Sequence, residues 1–219
     1  MKKLLLTFVL SFFYVTSASA DLGVNVGVSG QAGIFAASAK ESTGSTVKGN
    51  GTEHGSAGWG SVFLEATMND RFIVGIDYVP AALETDTTET AKSDKGVAAV
   101  TATTVTNKIQ VDFEHLTTLY VGMMLTDNFY VKAGATTVDV ITNENLGTGA
   151  SYGNAELDGN MFGIGYHNAL DNGVFFRFEG NYMDFNGHTV NATGTAADNK
   201  IELRNLDGVS GKISVGKSF

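Results

Sequence analysis

The chain has no cysteine and one proline, Pro80, in 219 residues. The first absence removes disulfide staples, cysteine-ligated structural zinc and thiol nucleophiles together. The second stands beside 27 glycines. Disordered sequence is commonly rich in both residues, whereas a chain of paired strands avoids proline because it removes ladder donors. Basic residues are also scarce, 14 Lys and Arg against 23 Asp and Glu, for a net charge of −9. Nucleic acid is thereby excluded as a partner, since that binding needs clustered Lys and Arg to neutralise phosphates. No segment carries 18 consecutive apolar residues, so no membrane-spanning helix is expected.

What is present begins with "MKKLLLTFVLSFFYVTSASA". Lys2 and Lys3, an apolar run from Leu4 to Val15 and the close on Ala18-Ser19-Ala20 have the order of a cleaved secretory signal, with the mature chain starting at Asp21. The expected organisation is a signal over residues 1–20 and one domain over 21–219.

From Asp21 onward apolar residues recur with a period of two, which is the period of strands. The first run places Leu22, Val24, Val26, Val28, Ala32, Ile34 and Ala36 opposite Gly23, Asn25, Gly27, Ser29, Gln31 and Gly33. Further runs follow at 61–68, 71–79, 109–125, 129–136, 162–170 and 174–182, and the last covers roughly Ile201 to Phe219. The connections alternate. Asn69-Asp70, "TDN" and "DNG" are short turns, while the segments rich in Gly, Thr, Asn, Asp and Glu between the other strands predict mobile, solvent-facing loops.

The two faces decide between a soluble sandwich and a membrane barrel. One row holds Val, Leu, Ile, Phe and Ala. The other mixes glycine with Glu65, Asp77, Asp112, Glu114, Lys132, Arg177, Glu179 and Lys212. An apolar band turned to lipid around a polar, small-residue lumen predicts an all-β, eight-stranded antiparallel up-and-down transmembrane β-barrel. Aromatic girdles are expected from Phe72, Phe129 and Phe219 at the short-turn end and from Tyr78, Phe113, Phe162 and Tyr182 toward the loops.

With this leader, eight alternating strands, alternating loop lengths and the ending "KISVGKSF", the chain resembles the small outer-membrane β-barrel proteins of Gram-negative bacteria, the OmpA transmembrane-domain and OmpX kind. The resemblance implies residence in the cell outer membrane among lipid and lipopolysaccharide. It also implies insertion by the outer-membrane assembly machinery, with Ile213, Val215 and Phe219 as the assembly signal. Lys217 departs from the pattern and is expected to snorkel toward the interface.

An eight-stranded lumen is just wide enough for side chains to fill. Glu65, Asp77, Lys132, Arg177, Glu179 and Lys212 lie at similar heights above the short turns and are expected to form one lumenal belt of ion pairs, because an unpaired buried ion is costly. The expected role is a structural barrel, a monomer, whose long extracellular loops meet a surface partner through adhesion or phage or host contact. A narrow channel for ions or small solutes is the alternative, and a lipid A-modifying enzyme a more distant one. Of the four histidines, His54 and His188 are placed in loops, His115 outward and His167 inward. None has a serine and carboxylate at matching height, so an enzyme is not expected. No cofactor or metal is expected either, since acidic stretches such as "ETDTTET" lack calcium-loop spacing.

Overall fold

The computed structural model describes residues 21–94, 101, 103–147, 149–194 and 198–219. The signal assigned to residues 1–20 lies outside the described residues. Along the chain run β1 (Leu22–Thr43), β2 (Thr46–Met68), β3 (Phe72–Tyr78), β4 (Leu83–Glu84), β5 (Thr88–Asp94), β6 (Thr103–Met124), β7 (Phe129–Leu146), β8 (Ser151–Tyr152), β9 (Ala155–Ala169), β10 (Val174–Phe185), β11 (His188–Thr193) and β12 (Asn199–Ser218). Eight of these form a ring in the order β1-β2-β3-β6-β7-β9-β10-β12, and β12 pairs back onto β1. Every neighbour in the ring is antiparallel. The fold is therefore a closed eight-stranded barrel.

The short turns sit at one end. Asn69 and Asp70 take φ of 51° and 52°, and Arg71 N donates to Met68 O at 3.1 Å. Two successive positive φ values make the tight hairpin turn whose twist matches the flanking strands, and Asn and Asp tolerate that region best after glycine. Gly173, at φ 79°, closes the turn between β9 and β10.

The opposite end differs from the loops expected there. The polar segment after the first apolar run continues the ladder, so β1 and β2 stay paired from Leu22–Met68 up to Thr43–Thr46, around Gly44 at φ 54°. Likewise β6 and β7 stay paired up to Asn107–Leu146, and β5 adds to the β6 edge. Where described, these segments are strand ribbons. Polar residues on both faces stop a ribbon from burying a core, but they do not stop its backbone groups from pairing. His54 and His188, placed in loops by the sequence, accordingly lie on β2 and β11.

A second difference is a bulge in β6 between Glu114 and Thr117, where His115 takes φ 55°. One extra residue swaps the faces beyond it. Phe113 therefore turns inward and packs on the interior cluster, instead of outward in a girdle. Asp112 and Glu114, expected in the lumen, point outward. His115 Nδ1 lies 3.1 Å from Asp139 Oδ2 and its ring stacks on Tyr78.

Candidate functional site

Below the bulge the inward row alternates large and small across the ladder. Phe63 faces Gly27, Tyr120 faces Gly75, Tyr130 faces Gly165 and Phe175 faces Gly216, each pair directly cross-strand. Each ring lies over its glycine, so glycine in the polar row is space for an aromatic side chain. These rings floor a belt of charge. Arg177 Nη1 lies 2.5 Å from Glu65 Oε1, and the Glu65 carboxylate also accepts from Tyr120 Oη at 2.6 Å and Asn25 Nδ2 at 3.0 Å. Lys132 Nζ donates to Glu179 Oε2 at 2.8 Å, and Tyr130 Oη donates to the other oxygen. Lys212 Nζ binds Asp77 and stands 4.0 Å from Glu179. The Arg177 guanidinium is 4.6 Å from the Phe175 ring centroid, and Lys132 Nζ is 4.9 Å from that of Tyr120.

All six charged residues expected in the lumen are thus buried and ion-paired, three acids against three bases, with Glu65 and Arg177 as one pair and Asp77, Lys212, Glu179 and Lys132 as a connected group. His167 belongs to the same layer: its Nδ1 accepts from Arg177 Nε at 3.0 Å. The remaining sequence-derived positions lie at the outer wall. Ile213 and Val215 are exposed on β12 and Phe219 is exposed beside them. Lys217 reaches the turn, where its ammonium donates to the Asn172 carbonyl, 5.9 Å from the Phe219 ring.

The outer wall is the inverse of the lumen. Val24, Val28, Leu64, Val121, Phe162, Ile164, Phe178 and Ile213 are all exposed, a continuous apolar surface far larger than water tolerates. The outward row from Leu22 to Ile34 runs about 40 Å at ~3.3 Å per residue, and a tilt of about 40° shortens that to roughly 30 Å, the depth of a bilayer core. Charge inside and hydrocarbon outside leave one environment. The chain is a membrane-spanning barrel of the outer-membrane type. Its wall makes a direct prediction: Ile164→Lys, at a position 59% exposed, will cost about 2–4 kcal/mol in lipid, measured by denaturant unfolding from vesicles. A loss under about 0.5 kcal/mol would refute a lipid-facing β9.

Above the belt the lumen changes character. The same inward rows continue from Asn181 to Met183 and Phe185, from Thr136 to Val138, and from Ser210 to Leu206. With Trp59, Leu116, Leu157 and Met161 they form an apolar cluster. Continuing the parity of the lower rows would have placed most of these residues inward. They carry no charge to single them out, so that parity is their one signal in the sequence. Above the cluster opens a cup of about 490 Å³ lined by Phe35, Ala57, Leu83, Phe113, Leu116 and Phe185, among others.

Among the described residues, one side of this cup has no continuous strand ladder. On its β1 edge β2 is paired from Thr46 onward, but on its β3 edge only from Val62 to Met68. Strand β3 ends at Tyr78, Val79 N donates to Leu116 O at 2.9 Å, and Pro80 follows without an N–H to extend the ladder. The chain then forms β4, which pairs with β6. Among the described residues, the β2 edge from Thr46 to Ser61 has no strand partner on that side. Gly55, Ser56 and Ala57 on this edge line the cup with Leu83, Glu84, Thr85 and Asp86.

No protein-family model matches the sequence, and no curated protein matches it. Solved structures align with most of it. The outer membrane protein OprG of Pseudomonas aeruginosa shares 17% identity over 90% of this chain and 96% of its own, with a TM-score of 0.49. Ail, the attachment invasion locus protein of Yersinia pestis, shares 11% over 88% and 99%, with a TM-score of 0.35. Neisserial surface protein A shares 13% over 87% and 97%, with a TM-score of 0.36.

Proposed function

We propose that this outer-membrane barrel admits small apolar molecules at its ribbon end and releases them sideways into the lipid, through the opening between β2 and β4. The carrying observation is the apolar cup of about 490 Å³ with the unpaired β2 edge as one wall. The belt supports this reading from below. Its charges are paired and its rings are packed on glycines, so the belt separates the cup from a cavity of about 640 Å³ at the short-turn end, leaving about 20 Å³ between them, and a molecule in the cup leaves by the side. Surface contact through the ribbons is a second reading, favoured by one feature: β1 and β2 rise as a paired arm to Thr43–Thr46 with polar residues on both faces.

Uptake of a labelled benzene-sized hydrocarbon tests the proposal in cells with an intact lipopolysaccharide layer. The wild-type chain will raise the uptake rate several-fold. Ala57→Phe, which fills the cup, will return it to background, and planar bilayers holding the pure protein will show no steady conductance steps. Deleting residues 40–50 will leave uptake intact and abolish any adhesion to host or matrix surfaces. Equal uptake by the wild type and Ala57→Phe would sink the lateral path, and regular conductance steps would sink the sealed belt.

A further inference from the structure

Between the cup and the belt lies a layer that neither of them explains. Trp59 Nε1, Asn181 Oδ1 and Ser210 Oγ are buried there without a hydrogen-bond partner, in residues each 7% exposed. Buried polar groups are nearly always satisfied, so three orphans in one layer call for an explanation. Asn181 and Ser210 stand directly opposite each other on the β10–β12 ladder. Trp59 and Asn181 line a cavity of about 20 Å³, room for roughly one water-sized group. Leu116 and Met183 line both this cavity and the cup above it. They are the partition between the two spaces, and the unbranched thioether of Met183 is the part that can swing aside.

The chemistry of the three atoms narrows what fits. An indole N–H only donates, an amide oxygen only accepts and a serine hydroxyl does both. The charges that also line the cavity are already matched, Lys212 with Asp77 and Lys132 with Glu179, so a second ion would meet no free counter-charge. A group that donates and accepts while remaining neutral satisfies the layer. We propose that Trp59 and Asn181, with Ser210 cross-strand from Asn181, form a neutral polar subsite at the floor of the cup, which takes the hydroxyl of a small apolar alcohol while its hydrocarbon body stays among Leu116, Met183 and Phe185. The inference rests on the cup being a binding site, and it adds the class of molecule the cup selects: apolar compounds with a single neutral hydroxyl.

Trp59 is the only tryptophan in the chain, so it reports on its own subsite. The purified barrel in detergent micelles is titrated with cyclohexanol and, separately, with cyclohexane, with empty micelles as the reference. Binding is followed by Trp59 emission and by calorimetry. Cyclohexanol will shift the emission to the red as the indole N–H gains a partner, and cyclohexane will not. Asn181→Leu will weaken cyclohexanol about tenfold and leave cyclohexane within about twofold, as expected when one buried hydrogen-bond partner is withdrawn. Trp59→Phe, which removes the indole donor and is followed by calorimetry alone, will move affinities in the same direction and serves if Asn181→Leu does not fold. If cyclohexane binds but neither variant separates the alcohol from the hydrocarbon, the subsite is overturned and the cup stands. If neither compound binds the wild type, both are overturned.

Discussion

Glu65→Ala will destabilise the barrel by about 3–5 kcal/mol, the usual cost of removing one partner from a buried ion pair. Glu65 is 2% exposed, and its carboxylate is the acceptor for Arg177, Tyr120 and Asn25 together. Truncation leaves the Arg177 guanidinium with His167 and the rings of Phe175, Tyr130 and Phe63, which soften a cation but do not neutralise it. Denaturant unfolding followed by Trp59 emission measures the loss. The double variant Glu65→Met with Arg177→Met will recover most of it, because a pair replaced by apolar groups of similar size leaves no stranded charge. A single variant within about 1 kcal/mol of wild type would show that the belt contributes little to holding the walls together.

The second large effect comes from a glycine. A Cβ at Gly75 would stand 2.6 Å from Tyr120 Cζ and 2.8 Å from Glu65 Cγ. The β3 backbone cannot retreat, since Gly75 is laddered to Glu65 on one side and Tyr120 on the other. Gly75→Val will therefore cost about 3 kcal/mol or more through overpacking and will lower the folded fraction seen as the heat-modifiable band on gels. Gly180→Val is the control: a Cβ there meets nothing within 4 Å, and that variant will fold as the wild type does. Equal folding of the two variants would remove the space-filling account of the inward glycines.

The barrel itself was legible because its signal is local. A period of two, hairpin turns at Asn69-Asp70 and at Gly173, and acids and bases gathered on one parity are properties of neighbouring residues. The ring closed by β12 on β1 follows from them, since open edges are not tolerated in lipid. Three features were not legible, for physical reasons. The β6 bulge swaps parity at His115, where nothing in the side chains announces an extra residue, so Phe113, Asp112 and Glu114 were assigned to the wrong faces. The polar ribbons pair through the backbone, which composition does not report. The cup depends on β2 outrunning β3 on one edge, a relation between strand lengths; the lone Pro80 marks the place, but alone it signals only an end to pairing.

The belt also has a temporal meaning. Its contacts join distant parts of the chain: Glu65 and Arg177 are 112 residues apart, Asp77 and Lys212 135. The β2–β3 hairpin brings two carboxylates and no cation, while the strands from β7 onward bring three cations and one carboxylate. Each portion alone carries uncompensated charge of one sign, which is expensive to insert into hydrocarbon, and neutrality arrives only when the two face each other. Such long-range pairing is slow to form, so the charge imbalance keeps a half-built sheet out of the bilayer until the last strand is in reach of the first. The residues that rigidify the finished lumen thereby also set the order of events, with closure before burial.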